Sequence, residues 1–408
     1  MSVSEGRQFL SIPGPTNVPD AVLQAMQRPA IDIYSGEIID ITDSCLKDLA
    51  AIFRTGGRAY IYAANGHGGW EAALCNVLSR GDLVLVLESG RFATRWGEMA
   101  RMLGLEVEVL PGHSRRAVDP AALEERLRRD KGHLIKAILT VQIDTASGVV
   151  NDIPAIRRAI DAPGHPALLM VDAVASLGCM PFEMDAWGVD VAVSASQKGL
   201  MAPPGLGFVA ANSRARKVHE TAGLRTTYWD WTLREGEELY QKYCGTAPEH
   251  LLFGLRKAVD LFLAEGLDGA IRRHALLAEA TRAAVAKWAE GATLAFNVER
   301  PAERANSVTC VATPRIDPAP LLSYCRDKCG VVLGIGIGAL VGKGFRLAHM
   351  GHVNAPMVLG TLGVVEMGLK ALAIPHGSGG VQAAVEYLGR EVRETEPTRT
   401  RCLLAAGA

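Results

Sequence analysis

The sequence predicts an α/β protein: a large domain with a mostly parallel sheet sandwiched by helices, followed by a smaller C-terminal α+β domain. Three observations carry that expectation. Short β-rich runs alternate with segments of helical spacing from residue 59 to about residue 210. Several runs are apolar at every position, as strands covered on both faces require. At 408 residues the chain is also longer than one small core organises.

The elements follow in order. Leu10–Pro19, reading LSIPGPTNVP, carries three prolines and a glycine, so it is extended and ordered by packing. A helix is expected over Ala21–Gln27, then a loop at Ile31–Gly36 and a helix over Glu37–Phe53. The run Ala59–Ala64 ends in Asn65-Gly66-His67-Gly68-Gly69, before helical spacing over Trp70–Leu78. Strand Leu83–Glu88 ends at Ser89-Gly90-Arg91-Phe92 and leads to a helix over Ala93–Leu103. Strand Glu106–Leu110 precedes a helix over Pro120–Arg129. Strand Ile135–Gln142 ends in Asp144-Thr145-Ala146-Ser147-Gly148, before a helix over Ile153–Ala162. Runs at Leu168–Val171, Val189–Val193 and Leu206–Ala210 complete the sheet.

The pattern then changes. Leu224–Cys244 scatters aromatics among charges with little periodicity and reads as a surface or interface segment. A helix starts near Pro248 and another spans Leu267–Glu290. Strands are expected at Ala292–Val298, Ser307–Ala312, Gly330–Leu333 and Gly344–His349. Helices are expected at Pro318–Lys328, Ala355–Ala373 and Gly380–Val392. The resulting division is an N-terminal segment (1–20), a large domain (21–265), a small domain (266–395) and a frayed tail (396–408).

Composition narrows the function classes. Charges nearly cancel, 43 basic against 44 acidic, so no global field draws the chain to nucleic acid or a membrane. Nothing reaches the roughly 18 unbroken apolar residues of a spanning helix, and the N-terminus lacks a signal pattern. The eight cysteines are scattered. Cys325 and Cys329 have helical spacing but no further ligand pair nearby for zinc. Free thiols in a reducing, cytoplasmic compartment are expected.

Chemistry concentrates in Leu168–Gly207. One apolar run delivers Asp172; the next runs into Ser194-Ala195-Ser196-Gln197-Lys198. A carboxylate and a lysine so placed suit a site that ionises a cofactor nitrogen and captures an aldehyde, because partial desolvation makes the amine nucleophilic. Asn65–Gly69 opens a helix after a strand, where backbone N–H groups can face an anion, although a plain tight turn has the same pattern. Gly334-Ile335-Gly336-Ile337-Gly338 leads to a strand and so is not a dinucleotide fingerprint. Arg346, flanked by apolar residues, suits either a carboxylate clamp or a salt bridge at the sheet rim. His67, His349 and His352 read as structural.

Several motifs occur in order: PGPTNVP, GHGGWEAALCNVL, ESGRFATRW, DTASG, VDAVASLG, SASQKGLMAPPG, YCGTAP and GKGFRLAHMG. Together they make the chain similar to class V, fold-type I aminotransferases dependent on pyridoxal phosphate (PLP), in the alanine/serine–glyoxylate branch. The resemblance covers about residues 10–375. It implies that Lys198 is the Schiff-base lysine, that Asp172 pairs with the ring nitrogen, that Phe92 and Val174 pack the two ring faces, and that Thr145 bonds the ring oxygen. It further implies Gly66, the His67 backbone and Gln197 at the phosphate, with Tyr243 and Thr246 reaching the phosphate of a neighbouring subunit in a homodimer. Arg346 would hold the substrate carboxylate, with Asn65 and the loop around Tyr34 lining the substrate pocket.

Substrates implied are a small amino acid (serine, alanine or aspartate) and glyoxylate or pyruvate. Many glyoxylate-using relatives carry a His-Arg pair near residue 33, where this chain has Ile33-Tyr34-Ser35, so donor identity stays open. The alternatives are a pyridoxamine–pyruvate aminotransferase, a lyase or desulfurase of the same fold, and a non-catalytic PLP-binding protein.

Overall fold

The computed structural model describes residues 2–392; the expected tail lies outside them. The strands are β1 (Phe9–Ser11), β2 (Arg58–Ala63), β3 (Leu83–Leu87), β4 (Glu106–Leu110), β5 (Ile135–Val141), β6 (Ile143–Asp144) and β7 (Val149–Val150). They continue as β8 (Leu168–Asp172), β9 (Val191–Ala195), β10 (Leu206–Ala211), β11 (Ala295–Phe296), β12 (Val308–Ala312), β13 (Val331–Ile335) and β14 (Gly344–Ala348).

Among the described residues, seven strands form the larger sheet in the order β2-β10-β9-β8-β5-β3-β4. Pairings from β9 through β4 are parallel, and β10 runs antiparallel to both its neighbours. The apolar runs have the expected cause. Along β3, Leu85 and Leu87 enter one core while Val84 and Val86 enter the core on the opposite face. Leu169 and Val171 divide from Leu168 and Met170 in the same way along β8. A strand sandwiched between helices needs apolar side chains at every position.

The second sheet has the order β1-β13-β14-β12-β11. It packs on helices Leu267–Ala289, Ala319–Cys329 and Ala355–Ala371, through Trp288, Leu321, Phe345 and Leu362 among others. β1 pairs in parallel with β13, more than 300 residues away in sequence. The N-terminal segment is thus a strand of the C-terminal sheet.

Several expected elements shift. The helix after Asn65 begins at Gly66 rather than Trp70, because the Asn65 side chain accepts from His67 N and Gly68 N and caps it. β9 sits two residues later than its apolar run, since β10 pairs with it out to Ala195. The strand expected over Ala292–Val298 shortens to Ala295–Phe296. The largest correction concerns Leu224–Cys244. Helices Trp231–Arg234 and Leu239–Tyr243 form there, and Trp231, Arg234, Leu239 and Tyr243 are buried within the chain. Arg234 explains the missing periodicity: it donates to the carbonyls of Tyr228, Ile61 and Lys242 and stacks over Tyr62. Interior packing there rests on a buried cation rather than an apolar stripe. Tyr228 and Tyr240 remain exposed.

Candidate active site

The carboxyl ends of the parallel strands open into one cleft, the edge at which ligands enter open α/β sheets. β8 ends in Asp172. β9 continues into Gln197 and Lys198. β2 leads to Asn65 and Gly66, and the segment after β5 brings Ile143 and Thr145. Phe92 enters from the first turn of helix Arg91–Met102.

Lys198 and Asp172 both line the cleft. Burial pushes the Asp172 carboxyl up to about 7, against opposing hydrogen bonds from Val174 N and Trp70 Nε1. Burial, and then the positive charge of Arg346, bring the Lys198 amine down to about 8. Its Nζ donates to the Pro13 carbonyl. A Cβ on Gly14 would lie 2.5 Å from Nζ and 2.7 Å from Cε, and Gly14 has φ of +101°. Only glycine suits that contact. The strap after β1 also donates from Thr16 N and Oγ1 to the carbonyls of Gln197 and Lys198. The PGP motif, read as extended packing, thus covers the lysine.

Asp144 is a group that sequence reasoning did not single out. Buried in the DTASG segment, it accepts at Oδ2 from Phe92 N and Ala93 N, and at Oδ1 from Ala146 N. It ties the start of the Phe92 helix to the loop that carries Thr145. Trp70 was also missed, although GHGGW placed an indole one helical turn beyond Gly66.

Arg346 is buried behind the cleft. Nε donates to Ile335 O at 2.8 Å and Nη1 to Thr145 O at 3.1 Å. Among the described residues no carboxylate pairs with it, so the rim salt bridge is not formed. A buried guanidinium held only by carbonyls suits an incoming carboxylate.

Three expected residues are placed differently. Asn65 lines the cleft, but its Oδ1 is committed to the helix cap, as is His67 N. Tyr34 is 68% exposed on a turn built on Asp32 and does not line the cleft of its own chain. Tyr243 is 2% exposed and shares a hydrogen bond with Thr42 at 3.0 Å. That corrects its reading as a residue reaching outward, because its hydroxyl is satisfied in its own core. Thr246 is exposed.

The residues present fit PLP. They supply an acid for a ring nitrogen, an amine for an aldehyde, an aromatic face, and a helix N-terminus. At the cleft wall a buried amide atom of Gln197, placed as Oε1, has no partner. Amide O and N are interchangeable by rotation, so this side chain can turn a donor to an anion.

Residues 8–339 match the family model described as aminotransferase class V. The chain is 40% identical to a serine–glyoxylate aminotransferase of Methylorubrum extorquens over 94% of this chain and 96% of that one. It is 38% identical to an L-aspartate–glyoxylate aminotransferase of Paracoccus denitrificans, over 92% and 95%. The solved structure of pyridoxamine–pyruvate aminotransferase from Mesorhizobium loti superposes with a TM-score of 0.86 at 27% identity, covering 96% of this chain and all of that one. The cleft, its lysine–carboxylate pair and these matches lead to one conclusion: the chain belongs to the class V aminotransferases and is a PLP-dependent transaminase.

Proposed function

We propose that the protein moves an amino group from a small amino acid (serine, alanine or aspartate) to glyoxylate or pyruvate. The observation that carries this reading is Arg346, a buried arginine beside Lys198 with no acidic partner among the described residues. A short carboxylate-bearing substrate would satisfy it and be held close to the amine.

When bound, PLP supplies an aldehyde that captures an amine and a ring that takes up the electrons left when the α-carbon loses its proton. The side chains do the rest. Asp172 holds a proton on the ring nitrogen, and the Lys198 Nζ carries the proton taken from the substrate α-carbon. Phe92 and Val174, which both line the cleft, would confine the ring, and the Thr145 hydroxyl would donate to its oxygen. Gln197 and the Gly66 backbone would face the phosphate, aided by the helix N-terminus. Arg346 orients the substrate so that its α-hydrogen faces Lys198.

The working form is a homodimer, in which exposed Thr246 and the loop around Tyr34 meet the neighbouring subunit. Its compartment is the cytoplasm, supported by seven unpaired cysteines among the described residues. No helix among those residues is long and apolar enough to cross a membrane.

One observation favours pyridoxamine–pyruvate transamination as a second reading. The Asn65 cap uses the His67 N–H that a phosphate cup would draw on. A desulfurase is disfavoured because Cys325 is fully buried in a helix, with its thiol pushed up to about 12 by that burial.

A half-reaction screen tests the proposal. Purified protein is mixed with serine, alanine, aspartate or pyridoxamine, and visible absorbance is followed before glyoxylate or pyruvate is added. Conversion by an amino acid, restored by the keto acid, is expected. Lys198→Ala should abolish the visible band and turnover; full activity in that variant would overturn the assignment. Conversion by pyridoxamine alone selects the second reading.

A further inference from the structure

We propose that Trp70 is a positioning residue whose indole N–H holds the Asp172 carboxylate ionised and aimed at the cofactor nitrogen. The inference rests on the reading of Asp172 given above and extends it to a residue that reading leaves out.

The geometry is specific. Trp70 Nε1 donates to Asp172 Oδ2 at 3.0 Å, and Val174 N donates to Oδ1 at 2.7 Å. Each carboxylate oxygen thus has one protein donor and retains a lone pair for a ligand. The indole cannot turn away. It stacks on Trp96 at 5.7 Å with 16° between planes, and the His67 ring lies 4.5 Å away on a tilt. Trp70 is 2% exposed, so water does not substitute for it.

The reason for such a donor lies in the local charges. Asp172 is buried, and the buried Asp144 carboxylate opposes its ionisation; Lys198 is the nearby cation that favours it. Lys198 is itself a reacting group whose charge changes as it takes up and gives back a proton, so it does not favour the anion at every stage. A neutral N–H locked in a stack keeps favouring the anion throughout, with no reorganisation. Trp96 is a built-in control: its Nε1 is buried and has no partner. It shares the stack without touching Asp172.

The test is a double-mutant cycle read as PLP affinity of the apoprotein, by fluorescence titration between pH 6 and 9. Trp70→Phe keeps a ring and removes the N–H. It should weaken binding about tenfold or more, as expected for a lost hydrogen bond to a charged group, and move the acid limb of the pH profile upward. Asp172→Asn should also weaken binding, and adding Trp70→Phe to it should change affinity by less than about threefold. Trp96→Phe should leave the acid limb in place. If Trp70→Phe weakens binding equally in both backgrounds, or leaves the acid limb unmoved, the proposal is wrong while the site reading stands. If Asp172→Asn itself binds PLP as wild type does, the underlying reading fails. Should Trp70→Phe not fold, benzothienylalanine at position 70, which has sulfur in place of the N–H, carries the same expectations.

Discussion

At the residue scale, the site depends on Lys198 being neutral often enough to act. Burial disfavours its ammonium form, and the Arg346 charge adds to that, which brings the amine to about 8. Below that pH the reactive fraction falls about tenfold per unit. Capture of PLP by the apoprotein, followed by stopped-flow absorbance, should therefore rise with pH and level off above about 8. Removing the positive neighbour works the other way on the amine. Arg346→Gln should move the plateau to higher pH and raise KM for a carboxylate substrate about tenfold or more. An unmoved plateau would show that Arg346 does not act on Lys198. Sequence reading reached both residues, because Lys198 lies in a motif that follows an apolar run and Arg346 lies in one between apolar neighbours. It did not reach their mutual influence, which arises only when β14 is laid against the cleft.

At the element scale, Asp144 joins two segments that sequence distance keeps apart. Its carboxylate accepts from the first turn of the Phe92 helix and from its own loop, where the helix dipole also favours a negative charge. Asp144→Ala leaves buried N–H groups unpaired and should cost about 3 kcal/mol of stability, measured by urea unfolding. PLP affinity should fall in parallel, because Phe92 and Thr145 lose their common anchor. Gly90→Ala should act similarly, since a Cβ there would land on that carboxylate. Wild-type stability in both variants would remove Asp144 from the account. Helices Glu37–Phe53 and Pro120–Arg129 have the expected bounds, because periodicity and capping are written in contiguous residues. β1 was not foreseen as a strand: three residues running into a proline-rich stretch carry no signal until β13 offers them an edge. The aromatic segment 224–244 misled because its interior is organised around Arg234.

At the scale of the whole molecule, two histidines link the fold to pH. His349 and His274 are fully buried, and burial takes them down to about 3 and about 4. His349 bonds Thr309 and the Asn306 carbonyl, while His274 accepts from Gly351 N next to the strap. An unfolded chain protonates both near 6.5, whereas the folded chain keeps them neutral. Acid therefore favours unfolding throughout that window, by about 1.4 kcal/mol per pH unit for each histidine. Between pH 6 and 4 these two rings should draw unfolding free energy down as the solution is acidified, opposed by Asp172, whose carboxyl at about 7 takes up its proton first in the folded chain. His274→Gln combined with His349→Gln should lose that acid sensitivity; a profile unchanged from wild type would contradict the burial of these rings.

The sequence by itself determined the α/β class, the parallel sheet, the family, and the candidates Lys198, Asp172 and Arg346. Those features rest on local periodicity, turn chemistry and contiguous motifs. Only the tertiary structure decided that Trp70 holds Asp172, that Pro13 and Gly14 cover Lys198, and that Tyr243 turns inward to Thr42. Each of these is a contact between segments whose proximity is set by strand order and helix packing, and a chain read residue by residue carries no record of which distant donor meets which acceptor.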